Sequence, residues 1–250
     1  MKHNLQSLSL HDVNQTKTDI AILPWGATEP HNLHLPYLTD CYLSSAVACD
    51  AAAAAEKNGV NCMVLPAVPF GSQNPGQHDY AFCLHTRSST QYAILLDIVR
   101  SLHRQGVRKL LILNGHGGNN FRSLIRDLSF DFPDFTVAVT DWFAIIPQQG
   151  YFDNPDDHAG EMETSVLMHY HPELVRLELA GAGKGTGFQI TGFNDKTAWT
   201  PRIWNRTTAD TGVGDPSAST PEKGARYAAA VVERIAKLLT DWGKNDLYAD

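Results

Sequence analysis

No apolar run in this 250-residue chain approaches the roughly 18 residues needed to cross a bilayer, and the polar stretch Met1 to Thr18 holds no core of signal-peptide length. No membrane association is therefore expected, and the protein is read as soluble and cytoplasmic. Cysteine is scarce as well. Cys41, Cys49, Cys62 and Cys83 make no CxxC pair, so neither a disulfide framework nor a cysteine-based metal site is indicated, and all four read as small reduced core residues. Acids and bases are dispersed rather than blocked, and a net charge of −7 argues against a nucleic-acid backbone as partner. A phosphate loop is missing too. Gly181-Ala182-Gly183-Lys184-Gly185-Thr186 resembles one, but Glu178 stands where the first glycine belongs and the lead-in is charged.

What the chain does have is enough apolar content, 43%, to bury one core over residues 1–250, in an order that alternates strands with helices. Ile20 to Leu23, Val60 to Val68, Lys109 to Leu113 and Phe135 to Val139 read as buried strands. Between them, Cys41 to Lys57 is alanine-rich and closes at Asn58-Gly59. Ser88 to Gln105 repeats apolar residues at Ile94, Leu95, Ile98 and Leu102 behind Ser88-Ser89-Thr90 cap signals, and Phe121 to Leu128 repeats the stripe. A helix near Glu161 is ended by Pro172, and Glu222 to Trp242 carries a last apolar stripe. This rhythm implies an α/β fold with parallel strands and right-handed crossovers. Gly181 to Ala209 is read as irregular, its Phe188, Phe193, Trp199 and Trp204 able either to close over a site or to pack between subunits.

Three stretches carry the chemistry. Leu23 to Asp40, LPWGATEPHNLHLPYLTD, gathers Glu29, His31, His34 and Asp40 just past a strand end. Glu29 and His31 are two apart and in an extended segment leave on the same side. Asp40 is placed to cap the following helix or to join them. Carboxylate, imidazole and carboxylate suit Zn, Mn or Fe without any thiolate. Lys109 to Leu113 then opens into Asn114-Gly115-His116-Gly117-Gly118-Asn119-Asn120, which places His116 at another strand end, where open α/β sheets gather ligands. The third stretch, Asp156 to Ser165, contains His158, Glu161 and Glu163; acids in a first helical turn are also favoured by the helix dipole alone.

The order TEPHNLHLPYLTD, LILNGHGGNN, HAGEMETSVLMHYHPELV, TGVGDPSASTPEKG resembles the creatininase family of metal-dependent amide hydrolases, from about Ile20 to the final helix. The resemblance implies a three-layer α/β/α fold with a mostly parallel central sheet. It implies one or two divalent ions per chain, Zn foremost and Mn or Fe as alternatives, held by Glu29, His31, Asp40 and His116 with Asp40 bridging. It implies His158 as a proton-transfer group steadied by Glu163, a small-molecule amide as substrate, and a homo-oligomer. The loop Phe70 to Arg87 resembles the family segment that approaches the substrate, which makes His78 a supporting candidate beside its plain reading as a surface histidine.

The chain departs from the family pattern in three places. Pro30 and Asn32 replace the Gln and Gly of Glu-Gln-His-Gly-x-His. Gly118 stands where creatinine-hydrolysing members have a glutamate for the second metal, so that site depends on Glu161 or Glu163. Asn154-Pro155-Asp156-Asp157 replaces the tryptophan and acid that grip creatinine, so creatinine is not the expected substrate. The expected reaction is hydrolysis of an amide or formamide C–N bond by metal-activated water. The alternatives are a non-catalytic metal-binding protein on the same scaffold and an enzyme using the NGHGGNN turn as an anion nest.

Overall fold

Four short strands carry the centre of the molecule. In the computed structural model, which describes residues 2–154 and 156–248, β1 (Ile20–Trp25), β2 (Cys62–Val64), β3 (Lys109–Asn114) and β4 (Thr136–Asp141) form an all-parallel sheet in the order β2-β1-β3-β4. The chain leaves β1 to one side for β2 and returns to the other for β3, so the order reverses between β1 and β3. That switch point is where an open parallel sheet leaves a crevice beyond its carboxyl ends. Trp25 pairs with Asn114 and Asn114 with Asp141, so the loops after β1, β3 and β4 start level with one another.

Strand residues alternate between two cores, as a period of two requires. Ile20, Ile22, Leu111 and Leu113 face one side, covered by α2 (Thr39–Lys57), α5 (Glu161–Tyr170) and α8 (Pro221–Lys244). Ala21, Leu23, Trp25, Leu110 and Ile112 face the other, covered by α3 (Ser88–Arg104) and α4 (Arg122–Asp131). This is the expected three-layer α/β/α arrangement with a parallel sheet. A short α1 (Leu10–Asn14) precedes it. A small antiparallel pair, β5 (Asp156–His158) with β6 (Val213–Gly214), flanks the start of α5, and one-turn helices α6 (Thr191–Asn194) and α7 (Trp204–Thr207) lie between them in the chain. Helices α5 and α8 pack backbone to backbone at Gly224, where a Cβ would stand 1.9 Å from the Ser165 carbonyl oxygen.

Local outcomes differ from the sequence expectation where prolines and caps intervene. The strand expected over Val60 to Val68 is regular only at Cys62–Val64. Pro66 and Pro69 have no N–H for a ladder, and Val68 keeps a single bridge to Trp25. Neither α2 nor α3 has a side-chain cap at its start; Leu38 and Arg87 occupy those positions. Asp40 therefore does not cap α2 but lies inside its first turn, buried. The four cysteines are free, three of them buried. Among the described residues no helix is long and apolar enough to cross a membrane. Of the residues proposed to replace the creatinine grip, Pro155 lies outside the described residues.

Candidate metal centre

Each residue of the centre is placed by a local device. After β1, the Glu29 N–H donates to the Tyr37 carbonyl at 3.1 Å and the loop doubles back, with His31 bridged to Leu35. Asn32 takes a left-handed φ of 51°, a conformation asparagine tolerates and glycine adopts freely. Asn32, standing where the family pattern has Gly, can therefore hold this turn. Its side-chain amide also clasps Gly181, accepting from the N–H at 2.8 Å and donating to the carbonyl at 3.1 Å. The start of α5 is set from a distance. Asp156 accepts from the N–H groups of Gly160, Met162 and Glu163 at 3.1, 2.7 and 3.1 Å, and Ala159 turns the chain at a φ of 53°. This capping aspartate was not singled out from sequence; an acid a few residues ahead of a helix start was the available signal.

Glu29, His31, Asp40, His116, His158 and Glu163 are all buried and meet beyond the β1 and β3 ends. His116 Nδ1 lies 2.9 Å from Glu29 Oε1 and 3.4 Å from Asp40 Oδ2, while His31 Nε2 lies 3.1 Å from Asp40 Oδ1 and 3.8 Å from Glu29 Oε1. His158 Nδ1 stands 3.9 Å from Glu29 Oε1, with its ring over that of His31 at 4.3 Å between centroids. Three groups of donor atoms lie within 4.8 Å of one another: Glu29 with Asp40 and His116, His31 with Asp40 and Glu163, and Glu29 with His31 and His158. Asp40 belongs to the first two.

The hydrogen bonds on the far side of each ring decide what faces inward. His116 Nε2 meets the Ser72 carbonyl at 2.7 Å, His31 Nδ1 the Glu29 carbonyl at 3.1 Å and His158 Nε2 the Pro30 carbonyl at 3.1 Å. A carbonyl oxygen only accepts, so each of those nitrogens carries the proton and the opposite nitrogen presents a lone pair. Lone pairs then converge on carboxylate oxygens, of which Glu29 Oε1 and Asp40 Oδ2 accept no hydrogen bond. Such a cluster of acceptors is unfavourable unless a cation fills it. With protons alone in that role, burial would push His31 down, but the charge and hydrogen bond of Asp40 together with the charges of Glu163 and Glu29 outweigh it and hold the ring up at about 10. His116, pushed down by burial likewise, is held well above its usual value by Glu29 and Asp40 together. A divalent ion would substitute for both protons, and the mixed imidazole and carboxylate set suits Zn or Mn.

The family's sequence profile, described as creatinine amidohydrolase, matches residues 4–239. The chain belongs to the creatininase family. Members of this family are metal-dependent amidohydrolases. A solved structure of a candidate creatinine amidohydrolase from Bacteroides fragilis NCTC 9343 is similar at 56% identity and a TM-score of 0.97, over 99% of each chain. The mycofactocin precursor peptide peptidase of Mycobacterium tuberculosis is 28% identical over 88% of this chain and 84% of its own. The creatinine amidohydrolase of Pseudomonas putida is 28% identical over 64% of this chain and 67% of its own.

Against the creatininase pattern, several supporting residues fall differently from the expectation. Glu163 does not steady His158. Its Oε2 accepts from the Ala159 N–H at 2.5 Å and its carboxyl lies with His31 and Asp40, because the turn at Ala159 separates the two side chains. Of the two first-turn acids, Glu163, not Glu161, joins the donor atoms of His31 and Asp40. Glu161 is tied to Lys223 at 2.6 Å and to the N–H groups of Asp153 and Asn154. A side chain at Gly118 has no room, since a Cβ there would lie 2.1 Å from the Ser72 carbonyl oxygen. His78 is exposed and lies beside Asp79, whereas its neighbour Gln77 turns inward to Glu29. His34 is buried with Nε2 2.8 Å from Thr164 Oγ1, and burial lowers its pKa to about 4.

Over the centre opens a cleft of about 800 Å³ lined by Glu29, His116 and His158 together with loop residues 72–75, 77, 117–120 and 199–202. Of the four aromatics in the irregular stretch, Trp204 is buried edge-on to His158 at 5.2 Å and Trp199 stands exposed on the cleft rim. Phe188 and Phe193 pack on each other and line a separate hollow.

Proposed function

We propose that the protein hydrolyses an amide C–N bond with divalent metal held at two positions. Glu29, Asp40 and His116 hold one ion, and His31, Asp40 and Glu163 hold the other, with Asp40 shared. The observation that carries this reading is the inward convergence of imidazole lone pairs on carboxylate oxygens that no proton donor satisfies. Divalent metal, when bound, supplies a Lewis acid for the carbonyl oxygen and a water ionisable near pH 7. Zn is the first choice for this donor set, with Mn or Fe as alternatives.

His158 supplies the proton traffic. Burial, and then the charge of His31, keep its pKa below the ordinary value, so the ring is neutral at pH 7. Its Nε2–H is committed to Pro30, which leaves Nδ1 to accept a proton from the attacking water and return it to the departing nitrogen. Trp204, edge-on to the ring, fixes that orientation and shields it from bulk water.

The substrate we propose is a small amide or formamide other than creatinine. A short peptide is the second reading, favoured by the cleft of about 800 Å³, ample for a molecule larger than one small ring, and by the name of the mycobacterial relative. The test is metal analysis of protein purified without chelator, followed by turnover of cyclic amides, formamides and short peptides. Two ions per chain and loss of both metal and turnover in Glu29→Ala and His116→Ala are expected; full activity in either variant refutes the assignment.

A further inference from the structure

The two carboxylate oxygens of Glu29 have different surroundings. Oε1 lies 2.9 Å from His116 Nδ1 and accepts no hydrogen bond, whereas Oε2 accepts one from the side-chain amide of Gln77. Gln77 is 1% exposed, and its amide has one possible orientation. Its carbonyl oxygen accepts from the Asn74 N–H at 3.2 Å, which leaves the NH₂ side toward the carboxylate. The rest of the loop is pinned to the same centre. The Ser72 carbonyl meets His116 at 2.7 Å, the Ser72 N–H donates to Asn119 Oδ1 at 3.1 Å, and the Pro75 carbonyl accepts from the Trp204 N–H at 2.7 Å.

We propose that Gln77 is a positioning residue for the divalent ion held with His116. By occupying Oε2, it confines Glu29 to a single-oxygen contact through Oε1 and aims that oxygen at the His116 position. The inference rests on the metal-dependent reading above. A carboxylate without that hydrogen bond is free to rotate and to grip an ion with both oxygens. Hydrogen bonds of this kind around metal ligands commonly change affinity by roughly 10–100-fold.

Two variants test it. Gln77→Met keeps length and approximate volume without a donor, and Gln77→Asn keeps the amide but is one methylene too short to reach Glu29. The full-length protein, stripped with chelator and checked for folding by circular dichroism, is titrated with Zn²⁺ against a chromophoric chelator. It is then loaded with Co²⁺ for its visible spectrum. Expected in both variants is a fall of roughly 10–100-fold in affinity for one of two ions, with the other unchanged. The Co²⁺ bands should weaken as Glu29 closes both oxygens on the ion; a merely structural role for Gln77 would leave that spectrum as in the wild type. Unchanged affinities and spectrum in either folded variant overturn the proposal. A wild-type protein that binds no divalent ion overturns the metal-dependent reading and this inference with it, a result distinct from wild-type binding that the variants fail to alter.

Discussion

His116 Nε2 lies 2.7 Å from the carbonyl oxygen of Ser72, and this contact leaves Nδ1 as the one ring nitrogen that can face Glu29 and Asp40. Gly118 permits it. A Cβ at position 118 would stand 2.1 Å from the Ser72 oxygen and 2.5 Å from His116 Nε2, a backbone atom and a confined ring that have little room to yield. Gly118→Ala is expected to lower stability by about 1–3 kcal/mol, the range for overpacking a filled site, and to weaken zinc binding. Denaturant unfolding and zinc titration measure both, and a variant with wild-type values for each would show that the ring orientation does not depend on this glycine.

Glu161 and Glu163 lie two residues apart in the first turn of α5 and are expected to respond oppositely. Glu163→Gln should reduce bound metal from two ions to one with a modest change in melting temperature. Glu161→Gln should leave both ions and lower the melting temperature, because Lys223 and the Asp153 and Asn154 N–H groups lose their charged acceptor. Asp40→Asn should lose both ions. Elemental analysis beside thermal melts distinguishes these outcomes, and the opposite assignment of metal loss between the two glutamates would exchange their roles.

Metal-free protein is expected to lose stability as the pH rises from 7 to 9. Burial lifts the Glu163 carboxyl from 4.5 to about 8, and His31 is lifted from 6.5 to about 10, against the effect of burial, by Asp40, Glu163 and Glu29 together. A group whose folded pKa is raised contributes stability that is complete below its unfolded pKa and disappears as the pH climbs through the folded one. For Glu163 that window runs from about 4.5 to 8, and for His31 from about 6.5 to 10. His34, pushed down to about 4 by burial, acts in the other direction only below pH 6.5. Bound zinc takes the place of those protons, so the stabilisation by zinc should grow over the same interval. Melting temperatures of chelated and zinc-loaded protein at pH 7 and pH 9 decide it; a chelated protein that is more stable at pH 9 would contradict the assignment.

Trp199 is exposed on the cleft rim, and Trp199→Ala is expected to leave the melting temperature and metal content unchanged while raising KM several-fold for whichever amide is turned over. An unchanged KM would remove this residue from substrate contact.

The layer architecture was legible in the chain because Ile20 to Leu23 and Lys109 to Leu113 are uninterrupted apolar runs, a pattern that suits strands buried on both faces. Three of the candidate residues were legible for a related reason: Glu29, His31 and His116 follow those strands directly. The dependence of the site on distant partners was not. Gln77 and His78 are adjacent polar residues in one loop with no periodic pattern, and the family resemblance of that loop points to the histidine beside its plain reading as a surface residue, whereas the turn at Gly76, with a φ of 80°, brings the glutamine inward.

By itself, the sequence determined which residues could bind a cation and that they would emerge at strand ends, because apolar periodicity and strand length are local properties. Tertiary structure alone decided which nitrogen of each imidazole faces inward and which of Glu161 and Glu163 meets His31. It also decided that Asp40 belongs to the site rather than to a helix cap. Those choices depend on carbonyl and ammonium partners at Ser72, Pro30 and Lys223, brought close by packing across a sheet and its helices, and separation along the chain carries no record of such contacts.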